Sequence, residues 1–214
     1  FNALEDAKIV EQNVLREEFF PSEPISYVCE DSGSKISIIP DDNYKVNTIV
    51  DYKTKVLGEQ EASINHISEF KKEISSARTF SFLHELETLL ENGLIKGGDL
   101  NNAIVYVDKP LAESNMDILK KAFNKDSISV KANGILDNLD LHYPNEAARH
   151  KLLDVIGDLA LIGMKIRGKV IAEKPGHSIN AKFAEKVSEV IKSDRKNTLP
   201  KIDFNKKPLM DSNQ

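Results

Sequence analysis

The sequence lacks a second cysteine, an apolar run of membrane-spanning length and any excess of positive charge. With only Cys29 present, no internal disulfide can form. No apolar stretch approaches the ~20 residues needed to cross a bilayer. No signal or transit pattern is visible at the start, so the chain reads as soluble and cytosolic. Its 29 Lys and Arg are interspersed with 34 Asp and Glu, a formal charge of −5. That balance argues against nucleic acid as the main partner, while a local basic pocket or a small anionic ligand stays open. An initiator Met is lacking too. Phe1 to Ala7 look like the middle of an amphipathic helix, which predicts that the N-terminus is a cut.

What is present is enough apolar content, 40% over 214 residues, for one domain with a real core plus appendages. Residues 1–12 carry helical spacing. Ile25 to Cys29, Ile36 to Ile39 and Tyr44 to Tyr52 alternate and are β-branched, with turn formers between them, which predicts an antiparallel meander. A short helix is expected over Ile67 to Ile74 and a longer one over Phe82 to Glu91, followed by a buried strand at Ala103 to Val107. Residues 111–132 read as an insertion with a charged helix near Met116 to Phe123 and a strand at Ser127 to Val130. A strand at Leu139 to His142 leads into Pro144-Asn145-Glu146, which starts the longest helix, 145–163. A strand at Lys169 to Ala172 and a helix from Asn180 to Ile191 complete the domain, and the polar, Pro-punctuated stretch 196–214 suits a linker. The non-alternating mixture predicts an α+β fold: a two-layer sandwich with a mostly antiparallel sheet covered by helices on one face.

The sharpest chemical feature is Arg149-His150-Lys151-Leu152-Leu153-Asp154-Val155-Ile156-Gly157-Asp158. Four residues apart on a helix, His150 and Asp154 share a face and can share one metal ion; the same spacing also suits a solvated polar stripe, which Asp158 continues. Catalytic zinc usually takes three protein ligands, and this helix offers two. His177 lies in Lys174-Pro175-Gly176-His177-Ser178, read as a loop between strand and helix. Thr79, after Arg78, reads either as a helix cap or as a donor to an oxyanion. Gly93-Leu94-Ile95-Lys96-Gly97-Gly98 lacks the ending of a phosphate-binding loop for nucleoside triphosphates.

These segments together resemble the UDP-3-O-acyl-N-acetylglucosamine deacetylases of Gram-negative bacteria. The resemblance rests on Ala77-Arg78-Thr79-Phe80, on Gly93 through Val105, on Arg149 through Leu159 and on Gly176-His177-Ser178-Ile179-Asn180, in the family's order. It implies that His150 and Asp154 are zinc ligands, with iron (Fe2+) also acceptable to such donors. It implies further that Thr79 hydrogen-bonds the tetrahedral intermediate, and that His177, oriented by Asp158, stabilises the oxyanion or protonates the leaving amine. Lys151 would meet the substrate's diphosphate, and Phe80, Leu86, Ile95, Gly98 and Val105 would line the acyl-chain passage. The implied activity is zinc-dependent hydrolysis of the acetamide of UDP-3-O-(3-hydroxyacyl)-N-acetylglucosamine in lipid A synthesis.

On that resemblance residues 13–195 are the second of two similar α+β domains, and residues 1–12 the last helix of the first. The general-base Glu and a third ligand His belong to the first domain, so the fragment alone is expected to bind zinc weakly and to be inactive. His84-Glu85 imitates that pair but follows the Thr79 block, where the family carries no ligand. The insertion and the Pro-rich tail resemble the version fused to a 3-hydroxyacyl carrier-protein dehydratase, to which 196–214 would lead. Two other readings remain: another zinc amidohydrolase, and a nucleotide-sugar-binding or interaction module without catalysis.

Overall fold

The computed structural model describes residues 1–10, 12–86, 103–109, 116–117, 119–120, 125–136 and 140–198. After a short helix, α1 (Asn2–Asp6), the strands are β1 (Glu18–Phe19), β2 (Ile25–Cys29), β3 (Ser34–Ile39), β4 (Tyr44–Val50), β5 (Gln60–Ile64), β6 (Thr79–Phe82), β7 (Ala103–Tyr106), β8 (Lys165–Ile166) and β9 (Gly168–Glu173). The further helices are α2 (Phe70–Glu73), α3 (Glu146–Leu159) and α4 (His177–Thr198). The class is α+β.

The main sheet has the order β2-β3-β9-β4-β5. Alternation decides which side is buried: Ile36 and Ile38 of β3, Val46, Thr48 and Val50 of β4, Ala62 and Ile64 of β5, and Val170 and Ala172 of β9 are buried, while their neighbours along each strand are more exposed. Onto this face pack α3, through Ala148, Leu152, Val155 and Leu159, and α4, through Ile179, Phe183, Val187 and Ile191. Spacings of three and four put each set on one stripe. Phe183 is wholly buried, and burying a side chain of this size contributes about 1.5–3 kcal/mol.

The meander expected from the sequence does not form. β2 and β3 make an antiparallel hairpin, but β9 lies between β3 and β4, antiparallel to the first and parallel to the second. Gly168 makes that insertion possible at its tightest point, since a Cβ there would sit 2.9 Å from the Ile38 side chain and 3.0 Å from the Ile39 carbonyl oxygen.

Other boundaries also differ from the sequence reading. Residues 140–145 are irregular rather than a strand, and at 125–130 only an isolated bridge, Val130 to Leu136, forms. α4 starts at His177, three residues earlier than expected, and runs to Thr198, past the expected end at Ile191 and into the stretch read as a linker. α3 ends as foreseen: a 3-10 turn, Ala160–Ile162, closes on Gly163 in the left-handed conformation that favours glycine. The C-terminal half of the Phe82 to Glu91 helix, half of the Met116 to Phe123 helix, Leu139 and residues 199–214 lie outside the described residues.

A second, smaller unit stands beside the sheet. β6 and β7 pair in parallel, and their register aligns Phe80 with Ile104 and Phe82 with Tyr106. That face packs with Tyr52, Leu57, Ile135 and Ala147, the last on α3. The ribbon is thereby held against the first turn of the helix that carries the paired His and Asp.

Candidate active site

Leu152 and Val155 pull one stripe of α3 into the core, which turns His150, Lys151 and Asp154 toward the β6–β7 ribbon. The Nδ1–H of His150 donates to the carbonyl of Ala77 at 3.2 Å, which fixes the tautomer and leaves the Nε2 lone pair free. Nε2 stands 3.5 Å from Oδ1 of Asp154. Two ligands of one tetrahedral zinc lie roughly 3.3–3.4 Å apart, given bonds of about 2.0–2.1 Å. The pair therefore fits as two neighbouring ligands, with the histidine held by the backbone contact typical of such sites. Among the described residues no three His, Cys, Asp or Glu side chains come together as a metal-binding group.

Lys151 lies over this pair. Its ammonium is 3.0 Å from Oδ2 of Asp154 and 5.4 Å from the centre of the Phe80 ring. Phe80 also meets His150 and Tyr52 edge-on. Burial, with lesser contributions from the charges of Glu85 and Asp154, pushes the Tyr52 phenol up to about 12, so it stays a neutral hydroxyl near the site.

Asp158, one turn beyond Asp154, accepts from Nδ1 of His177 at 2.9 Å and from Nδ2 of Asn180 at 2.9 Å. The expected Asp158–His177 pair is thus present, although His177 is the first residue of α4 rather than part of a loop. Its side chain is 73% exposed, so Nε2 is open to an incoming group.

Thr79 is not a helix cap. It opens β6 and is exposed, while the following helical turn, 83–86, is capped by Glu85, whose carboxylate accepts from the Phe82 N–H at 3.1 Å. Of the residues expected along an acyl passage, Phe80 packs toward α3, whereas Leu86 and Val105 belong to a separate apolar cluster with Leu83, Leu119 and Leu136. Ile95 and Gly98 lie outside the described residues. His84 stands apart from the His150 pair, stacked on Phe82 with Nδ1 2.9 Å from Asp108.

One participant escaped the sequence reading. Glu146, fully buried at the start of α3, accepts from the Arg78 backbone N–H at 3.0 Å, from its Nε at 2.8 Å and Nη2 at 3.0 Å, and from the His142 N–H at 2.7 Å. Burial raises the Glu146 carboxyl, but hydrogen bonds from Arg78 and His142 and the guanidinium charge outweigh it and hold it below the usual carboxylate range. The only hint in the sequence was an acidic residue in a helix's first turn. A cavity of about 630 Å³ lies near the C-terminal end of α3, lined by Tyr44, Ile156, Leu159, Met164 and Arg167 among others, and includes none of the candidate residues.

Comparison with known proteins agrees with the sequence resemblance. A family model described as LpxC, UDP-3-O-acyl N-acetylglycosamine deacetylase, matches residues 1–118 and 112–189. The chain is 43% identical over 206 residues to the bifunctional enzyme LpxC/FabZ of Porphyromonas gingivalis, covering 96% of the chain and 44% of that protein. It is 40% identical to the enzyme of the same name from Bacteroides thetaiotaomicron, with 95% and 44% covered. To the UDP-3-O-acyl-N-acetylglucosamine deacetylase of Syntrophotalea carbinolica it is 34% identical, with 77% and 45% covered. The chain thus spans less than half the length of these relatives. It belongs to the LpxC family of UDP-3-O-acyl-N-acetylglucosamine deacetylases.

Proposed function

We propose that this chain is the second domain of a zinc-dependent deacetylase that removes acetate from UDP-3-O-(3-hydroxyacyl)-N-acetylglucosamine in lipid A synthesis. The observation that carries the reading is the 3.5 Å approach of His150 Nε2 to Asp154 Oδ1, with His150 Nδ1 bound to the Ala77 carbonyl. Zinc held there, or Fe2+, would supply Lewis acidity toward water and the amide carbonyl. A third ligand and a general base would come from sequence outside this chain, so residues 1–12 are read as the end of a first domain and 13–195 as the second. The sheet with its α3–α4 layer is read as a two-layer sandwich. The family's fused relatives support reading 196–214 as the way into a dehydratase domain.

Within the reaction, the chain's own residues bind, orient and move protons. Lys151 would turn from Asp154 to the substrate's diphosphate, where a point charge suits an oxyanion. Thr79, exposed at the start of β6, would donate its hydroxyl to the developing oxyanion. His177, its Nδ1–H engaged by Asp158, presents Nε2 to stabilise that charge or to deliver a proton to the leaving amine. Phe80, Leu86, Ile95, Gly98 and Val105 are assigned to the acyl chain, with Phe80 on one side of the ribbon and Leu86 and Val105 on the other. The substrate is a soluble-headed, lipid-tailed molecule, and among the described residues no helix is long and apolar enough to cross a membrane.

Acetate release from this UDP-sugar by the full-length protein tests the reading. Turnover that is lost in His150→Ala and in His177→Ala supports it, and its absence in the zinc-loaded wild type overturns it. A binding module without catalysis would retain UDP-sugar affinity in that case, and another amidohydrolase would instead cleave small acetamides.

A further inference from the structure

We infer that Arg78 and Glu146 form a positioning pair that sets the strand carrying Thr79 against the helix carrying His150 and Asp154; this rests on the deacetylase reading. Three consecutive residues ahead of β6 are tied to the α3 region. The Ser76 carbonyl accepts from His142 Nδ1 at 2.9 Å, the Ala77 carbonyl from His150 Nδ1 at 3.2 Å, and Arg78 meets Glu146 through its backbone N–H and two guanidinium nitrogens. Arg78 Nη2 also donates to the Asp140 carbonyl at 2.6 Å. The next residue in the chain is Thr79.

This arrangement is more than a fold-stabilising ion pair. Both carboxylate oxygens of Glu146 are used twice, and the side chain has no solvent exposure. Such a pair gains little net stability against an apolar alternative, because desolvation opposes the attraction. What it does give is geometry. A planar guanidinium held at two nitrogens by one carboxylate fixes the direction of the backbone at Arg78, and so of its neighbours on both sides. On one side is the Ala77 carbonyl that orients the His150 ring; on the other is the Thr79 hydroxyl. Glu146 itself is one turn before His150 on the same helix. The pair thus links the backbone acceptor behind a metal ligand and the hydroxyl of a proposed oxyanion donor to one rigid joint.

The test uses the zinc-loaded full-length protein with Glu146→Gln and, as a second variant, Arg78→Lys, each alone and combined with Thr79→Ala. In both single variants kcat falls about 10–100-fold, the range for groups that orient metal ligands, while KM changes little and zinc content per folded molecule is kept. Zinc affinity of the metal-stripped protein falls as well, since the His150 ring is no longer held in place. In the Thr79→Ala background the further loss in kcat shrinks, because one of the groups being positioned is gone. Normal kcat and zinc affinity per folded molecule, with only a lower melting temperature, overturn the inference. So does an unchanged fold-loss in the Thr79→Ala background. An inactive wild type overturns the deacetylase reading itself and this inference with it, whereas an active wild type with unaffected variants overturns only the inference.

Discussion

The ammonium of Lys151 sits 3.0 Å from Oδ2 of Asp154, the same carboxylate whose other oxygen faces His150 at 3.5 Å. Asp154 is therefore shared between Lys151 and the proposed metal site. A cation entering the site has to compete with that contact, and a diphosphate would draw the lysine off.

From this follows an expectation of opposite sign for two ligands. Lys151→Ala should tighten zinc binding to the metal-stripped protein by about 3- to 10-fold, equivalent to about 1 kcal/mol of lost competition. It should weaken UDP binding. Competitive titration with a chromophoric chelator and calorimetry with UDP measure the two, and weakened zinc binding in the variant would contradict the competition.

Acid sensitivity follows from Glu146. Its carboxyl is held below its ordinary value of 4.5 in the folded chain. The stability it contributes is fully present above that ordinary value and is lost as pH falls through the lower folded one. Urea unfolding of wild type and Glu146→Gln should therefore differ most at neutral pH and converge as pH falls through the lowered pKa of the folded carboxyl. Parallel curves across the acid range would show that the carboxyl is not held ionised by Arg78.

Two substitutions probe the core that aims α3. Phe183→Ala should destabilise by about 3–5 kcal/mol, since the side chain is wholly buried in the core between α4 and the sheet. Gly168→Ala should cost about 1–3 kcal/mol by pushing β9 off Ile38 and the Ile39 carbonyl. Thermal or urea melts measure both, and a neutral Gly168→Ala would mean that β9 can shift within the sheet without penalty.

How far the molecule was legible in its sequence varied with the range of the interaction. α3 and α4 carry their own periodicity, α3 its own stop signal at Gly163, and the i, i+4 relation of His150 to Asp154 is a local fact of helix geometry. The approach of Asp158 to His177 at the start of α4, by contrast, was expected only from the family resemblance. The place of β9 between β3 and β4 was not legible, because the alternation of Lys169 to Ala172 says that it is a strand but not which neighbours it takes. Of the two readings of Thr79, the helix cap fails because a threonine between a loop and an apolar run suits a strand start equally well, and its parallel pairing with Ala103 places it there. The Arg78–Glu146 contact spans 68 residues and follows no period, so only the folded chain brings it to light.

We propose that this chain supplies two ligands of a metal site whose remaining ligand lies outside residues 1–214. Zinc titration of the full-length protein and of residues 1–214 alone, each with and without His150→Ala, tests this most directly. One tight zinc is expected in the full-length protein, lost in the variant, and only weak, His150-dependent binding by residues 1–214. Equal affinity in both lengths, or tight binding that survives His150→Ala, would contradict it.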